Sequence, residues 1–305
     1  MMGPGDDLPS LTRRKDHLGV LRYIRLHELR EPQMVVDHGQ SLLGTDVSRR
    51  AGDELTRLAA IEQICLAALD LGNHELANTC LDQLRKSGVE KESVRFRRLL
   101  ARCLEASGDY DGANKIYDDF LKDNSANLVA LQRKYCIAKA QDLAPEKIVE
   151  ALNEYLGQNM ADASGWYEMY ELRMKYSDFK GAAYALEQVV LGCPLDSEIH
   201  RELAEVYATL GGLENLMLAR KHMAQSLELD GSNTKAQLGL VSVAHQYLKE
   251  SASAGKKNVD EHECLVAKEL VKYGASQVLK SHKGKDNYDA VKRSMDEYTS
   301  SLDKL

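Results

Sequence analysis

The stretch Trp166-Tyr167-Glu168-Met169-Tyr170-Glu171-Leu172-Arg173-Met174-Lys175-Tyr176-Ser177-Asp178-Phe179-Lys180-Gly181-Ala182 decides the fold. A helical pattern runs up to Ser177-Asp178, and a second follows through Leu186 and Val189. Between them lies a short polar turn that ends in the small residue Ala182. Two other segments repeat this turn: Gly72-Asn73-His74-Glu75-Leu76-Ala77 and Gly108-Asp109-Tyr110-Asp111-Gly112-Ala113. Each ends in Ala, follows one helical pattern and precedes another. The chain therefore reads as repeated helix pairs.

The register resembles that of tetratricopeptide (TPR) repeats. Trp166 lies sixteen residues before Ala182, at the place of the TPR aromatic, and Pro194 lies twelve after it, at the place of the closing proline. The frame gives units near 58–91, 94–127, 129–162, 163–196 and 197–233, then a sixth first helix near 234–249. In the third unit Ile148 replaces the small residue, and Pro145 opens the second helix, a favoured first-turn position. The fifth unit carries a longer turn around Gly211-Gly212-Leu213-Glu214-Asn215-Leu216. One helix pair cannot bury its apolar stripes alone, so pairs stack into a solenoid with a binding surface. The expected fold class is all-α, a TPR-type solenoid, right-handed as in TPR proteins, with capping helices at both ends. Cys65, Ala101, Cys136 and Ala204 share one small-residue place in the first helix, and Trp166 is expected in the core.

Composition agrees with that reading. Of 305 residues, 44% are apolar, and only five are prolines, none of them between Pro32 and Pro145 or after Pro194. The formal charge of −7 argues against nucleic acid as a partner. No apolar run reaches membrane-spanning length, and the first residues lack a secretory pattern, so a cytoplasmic protein is expected. The six cysteines are scattered with no Cys-x-x-Cys pair, which suits reduced, packed thiols. Residues 1–16 are expected to be disordered, 17–53 to form N-terminal capping helices, 54–250 the solenoid, and 251–305 a linker with C-terminal helices near 259–281 and 287–303. The last carries Tyr288, Val291, Met295, Tyr298 and Leu302 as one stripe, suited to a cap or to a partner.

Motifs for catalysis are missing: there is no phosphate loop, His-Glu-x-x-His pair or Gly-x-Ser-x-Gly elbow. His262-Glu263-Cys264 points to different helix faces and makes a poor metal site. No enzyme activity, metal or cofactor is expected. In TPR units the first helix lines the groove, which singles out Arg95, Arg98, Arg102 and Glu105 in the second unit, Arg133 with Lys134 in the third, and Tyr167 in the fourth. Arginine grips carboxylates in two-pronged fashion, so units two and three suit an acidic partner segment. A merely solvated basic face would use the same residues. Glu62 and Leu66 stand where chaperone-binding TPR domains carry a Lys/Asn carboxylate clamp, which argues against that mode of binding.

The run Tyr207-Ala208-Thr209-Leu210-Gly211-Gly212-Leu213-Glu214-Asn215-Leu216, continued by Ala219-Arg220-Lys221 and Ala224-Gln225-Ser226-Leu227, resembles the subunit 2 family of the endoplasmic reticulum (ER) membrane protein complex. Leu152-Asn153-Glu154-Tyr155-Leu156 and Ala67-Ala68-Leu69-Asp70 are also similar. The resemblance spans roughly residues 30–250. It implies a non-catalytic scaffold, peripheral on the cytosolic face of the ER, in a complex that inserts tail-anchored and multipass proteins. Its implied partners are cytosolic parts of membrane subunits such as 3 and 5, and a soluble subunit 8/9-type protein. A free cytosolic adaptor or co-chaperone is the alternative.

Overall fold

The computed structural model describes residues 7–43, 54–87, 89–90, 93–254 and 260–302, without the side chains of Glu54, Leu55 and Ala254. Sixteen helices and no strand occur among these residues. The chain forms two compact units, Met1–Asp142 and Leu143–Leu305. The division falls between the two helices of the expected third repeat.

In the first unit, α1 (Leu8–Arg13), α2 (His17–Leu26) and α3 (Pro32–Leu43) precede three first helices and two second helices. These are α4 (Glu54–Asp70), α5 (His74–Lys86), α6 (Val94–Ala106), α7 (Tyr110–Asp123) and α8 (Leu128–Ala140). The expectation of disorder through residue 16 does not hold from Leu8 onward. Asp7 caps α1 by accepting from the Ser10 amide at 2.9 Å, and Pro9 sits in the first turn, where no helical partner for its nitrogen is needed. Leu11 is buried and joins Val20, Leu21 and Ile24 of α2 in one core with Ile61, Ile64 and Cys65 of α4. The N-terminal helices therefore cover the open side of the first repeat. Gly39 of α3 makes this possible: a Cβ there would lie 2.6 Å from Ile64. Residues 44–53 of the expected caps lie outside the described residues.

The second unit holds α9 (Pro145–Gln158), α10 (Ala163–Lys175), α11 (Phe179–Gly192), α12 (Ser197–Leu210), α13 (Leu213–Leu229), α14 (Thr234–Ala254), α15 (Glu261–His282) and α16 (Tyr288–Ser301). The expected linker at 251–258 is helical through Ala254, as the end of α14; residues 255–259 lie outside the described residues. Nor is 250 a boundary in packing. Val241, Ala244 and Leu248 of α14 are buried, as are Ala267, Val271 and Val278 of α15. A Cβ on Gly274 of α15 would lie 2.7 Å from Val241, so the two helices approach closely and complete a sixth pair. Met295 of α16 and Leu302, which caps its end, are buried, and Tyr298 stands edge-on to His245 of α14 at 4.9 Å. The apolar stripe of the last helix is thus spent inside the second unit.

The repeated turn has one physical basis. A residue in the left-handed region is followed by a side-chain cap: Gly72 (φ 69°) by Asn73, Gly108 (φ 82°) by Asp109 and Ser177 (φ 59°) by Asp178. Each cap accepts from the amide three residues on, at 2.9–3.0 Å. This reverses the chain and satisfies an orphan amide at the start of the next helix. The small place after the turn is sealed throughout: Ala77, Ala113, Ala182 and Ala219 are at most 1% exposed, and even Ile148 is buried at 3%. Trp166 is buried as expected, its Nε1–H donating to the Met160 carbonyl at 2.9 Å. Of the small residues in the first helix, Cys65, Ala101 and Ala204 are fully buried, whereas Cys136 is half-buried and faces a cavity.

Candidate functional site

The arginines singled out in the second and third repeats lie in the first compact unit, on α6 and α8. Their partners come from the preceding first helix. Glu62 of α4, 13% exposed, accepts from Arg95 Nε at 2.7 Å and from Arg98 Nη2 at 2.5 Å. Glu105 of α6, 8% exposed, receives both prongs of Arg133 on α8, the Nε contact at 3.1 Å. Tyr117 of α7, fully buried, donates its hydroxyl to the same carboxylate at 2.5 Å. Burial and then Glu105 push the Tyr117 phenol well above its usual range, so it remains a donor. Each carboxylate thus ties one repeat to the next.

These pairs alter the roles expected of the residues. Arg133 is clamped by Glu105, and the charge of Arg95 and Arg98 is shared with Glu62. Lys134 is turned to Asp118 of α7 at 2.7 Å, apart from the arginine set. Arg102 differs from all of them: it is half-buried and makes no hydrogen bond or ion pair with any described residue. It lines a cavity of about 250 Å³ with Leu69, Glu105, Arg133, Cys136 and Ile137. Charge also reaches this region from a helix that the repeat frame left out. Arg25 of α2 is disfavoured as a cation by burial first and then by Arg22, with Glu62 opposing and Arg95 adding to the effect. Its Nη1 is buried without a hydrogen-bond partner.

Tyr167 lies in the second unit, in a separate network. Its hydroxyl donates to Glu202 of α12 at 3.1 Å, and burial and then Glu202 push it up to about 12. Glu202 also accepts from Arg201, which is 7% exposed and gathers Glu198 and Glu205 as well. Here too a residue from the expected groove bridges successive first helices. Glu263, from the cluster dismissed as a metal site, instead binds buried Arg220 of α13, whose guanidinium also lies 5.3 Å from the Tyr247 ring centroid. Among the described residues no group of three His, Cys, Asp or Glu side chains is placed to hold a metal ion. No helix there is long and apolar enough to cross a membrane.

Repeat reading missed these bridges because it treats each unit alone. A signal was present: Glu62 precedes Arg95 and Arg98 by 33 and 36 residues, close to one repeat, so opposite charges fall on one face of neighbouring helices.

Several known proteins are similar to this chain. Residues 89–227 match the family model described as the EMC2 TPR-like repeat domain. The chain is 37% identical over 262 residues to ER membrane protein complex subunit 2-A of Xenopus laevis, covering 85% of this chain and 83% of that one. It is 31% identical over 210 residues to ER membrane protein complex subunit 2 of Dictyostelium discoideum, covering 69% and 64%. Among solved structures, the C-terminal part of a TPR repeat-containing protein from Cytophaga hutchinsonii aligns with TM-score 0.48 at 11% identity, over 93% of this chain and 97% of that one.

Proposed function

We propose a scaffold role for this chain, which belongs to the ER membrane protein complex subunit 2 family: it holds other subunits of that complex by their extramembrane segments and catalyses no reaction itself. The observation that carries this reading is the arrangement of the first helices. Carboxylates link successive repeats of the first unit, and Arg102 lies beside a cavity with no hydrogen bond or ion pair to any described residue. A stacked helical array of this kind offers an extended surface for other chains.

In this reading the chain is peripheral on the cytosolic face of the ER and serves a complex that inserts tail-anchored and multipass proteins. The segments it holds belong to membrane subunits such as 3 and 5 and to a soluble subunit 8/9-type protein. Units two and three, with Arg95, Arg98, Arg102 and Arg133, form an acidic-segment site. The test is purification of the tagged full chain from a detergent extract. Integral membrane subunits of the complex should be recovered with it, and their levels should fall when the chain is depleted, because a bound partner is stabilised by mass action. Recovery with a soluble chaperone and no membrane subunit would overturn the reading.

A further inference from the structure

The second unit carries an acidic groove with an apolar floor, and we infer that it takes a basic amphipathic helix of a partner chain, an inference that rests on the scaffold reading. The groove lies between α9 and the turn from α10 to α11, with a volume of about 650 Å³. Pro145 and Val149 of α9 and Tyr176 of the turn line it, and most of the surface it exposes is apolar. One face of α9 is turned inward, with Ile148, Leu152, Tyr155 and Leu156 buried. The face that borders the groove lies open: Glu146, Glu150 and Glu154 are exposed, and Val149 between them is half-buried.

Charge selects the occupant. Four carboxylates and one guanidinium line the groove: Glu146, Glu150, Glu154 and Asp178 against Arg173. Arg173 pairs with Asp178, so these two cancel. The carboxylates of the three glutamates make no hydrogen bond or ion pair with any described residue. Lys147 and Lys175 belong to the same helices, but neither lines the groove or pairs with a described carboxylate; Lys175 lies over the Tyr176 ring at 5.4 Å. In the first unit, by contrast, Glu62 and Glu105 are taken by arginines of the next first helix. Glu146, Glu150 and Glu154 recur at four-residue steps, about 6 Å each along α9. Like charges at that spacing destabilise a helix, and cations brought beside them remove the cost. Among the described residues no group of three His, Cys, Asp or Glu is placed to hold a metal ion, so the cations are side chains. A helix laid along α9 presents Lys or Arg at the same rise, with apolar residues between them on one face. An extended segment places one residue every ~6.6 Å on a face, which leaves no place for an apolar side chain between successive cations. The apolar side chain of the partner helix rests on Pro145, Val149 and Tyr176.

The test uses the full chain and a fluorescein-labelled helical peptide with Lys at every fourth position and Leu three residues after each Lys, read by anisotropy. The wild-type chain should bind it more tightly than the peptides with Gln for Lys or Ala for Leu, and the affinity should fall as salt rises. Glu150→Gln should weaken binding about threefold, the order of one partly exposed ion pair. The combined Glu146→Gln, Glu150→Gln and Glu154→Gln variant should weaken it by about tenfold or more. Glu228→Gln of α13, the same loss of charge outside the groove, should bind as wild type. Circular dichroism of each variant should match wild type, and if the combined variant loses helix content the single Glu150→Gln chain decides. Equal binding by wild type and the groove variants, equal binding of the Leu and Ala peptides, or no peptide binding at all would each overturn the inference. Purification of the tagged wild-type chain from detergent extract separates the two readings. Membrane subunits recovered with the peptide unbound would sink the groove and leave the scaffold standing. Peptide bound with no membrane subunit recovered would sink the scaffold and leave the groove.

Discussion

Glu105 accepts from Arg133 on the next first helix and from the buried hydroxyl of Tyr117, so its removal strands two donors at once. Glu105→Ala should lower unfolding free energy by about 3 kcal/mol, the order expected when one member of a buried ion pair is lost. Denaturant titration measures this, and a cost below about 1 kcal/mol would mean that solvent replaces the bridge. Histidines set the acid response. His222 packs beside His200, their Nδ1 atoms 3.0 Å apart, with Tyr207 stacked on it and Glu187 bonded to Tyr207. Burial and then His200 hold His222 below the ordinary histidine value of 6.5, with Glu187 opposing, and burial likewise lowers His38 and His245. The unfolded chain thus binds more protons than the folded chain below about pH 6.5. Stability should be full above that pH and fall as pH drops through the folded values. Thermal midpoints from pH 7.5 to 5 should show the fall, and His222→Phe should flatten it. Arg102 and Arg133 could be nominated from repeat register, but only packing distinguishes them, because the distinction depends on which helix brings a carboxylate within reach.

Turns and cores are decided at the scale of the element. Trp166 seals the joint between α10 and α11, with Tyr184 edge-on at 5.8 Å. Trp166→Ala should cost about 3–5 kcal/mol in a denaturant titration, through lost burial and the cavity left behind. The long turn before α13 follows a different rule from the others. Gly211 and Gly212 have φ of 67° and 81°, and no side chain caps α13. Glu250 of α14 supplies the acceptor instead, taking the Gly212 amide at 3.1 Å. With ψ at −177°, Gly211 occupies a region closed to other residues, so Gly211→Ala should cost about 1–3 kcal/mol and lower the melting temperature. The repeated turns were legible because each needs local chemistry at a constant offset. The Glu250 cap was not, because its donor and acceptor stand 38 residues apart.

At the scale of the whole molecule, the terminal helices complete the stack in their own units. A chain ending at residue 259 should expose Val241, Ala244 and Leu248 of α14 and leave Arg220 without Glu263. Light scattering should then show association, and the melting temperature should fall; an equally stable monomer would mean that α15 and α16 are ornaments. The sequence pattern did mark these helices, with bounds near the observed Glu261–His282 and Tyr288–Ser301. It placed a linker where α14 continues, because Ser251-Ala252-Ser253-Ala254 has the composition of a flexible segment. Tyr247, Leu248 and Ser251 are buried, and tertiary packing overrides composition there. Residues 8–13 show the same override: a six-residue helix is marginal alone and persists because Leu11 is held in the core.

By itself the sequence determined the repeat: where helices begin, where they turn, and which small residues allow the close joints. These follow from local preferences and a period near 34 residues, and both are written along the chain. Only the tertiary structure decided which of these arginines pair with carboxylates of neighbouring helices. The stretch from Trp166 to Ala182 shows the same division. Its turn and its buried tryptophan follow from pattern, whereas the bond from Tyr167 to Glu202 requires a helix 35 residues away to be in place. A charge pair is a property of distance in space, and distance along the chain does not specify it.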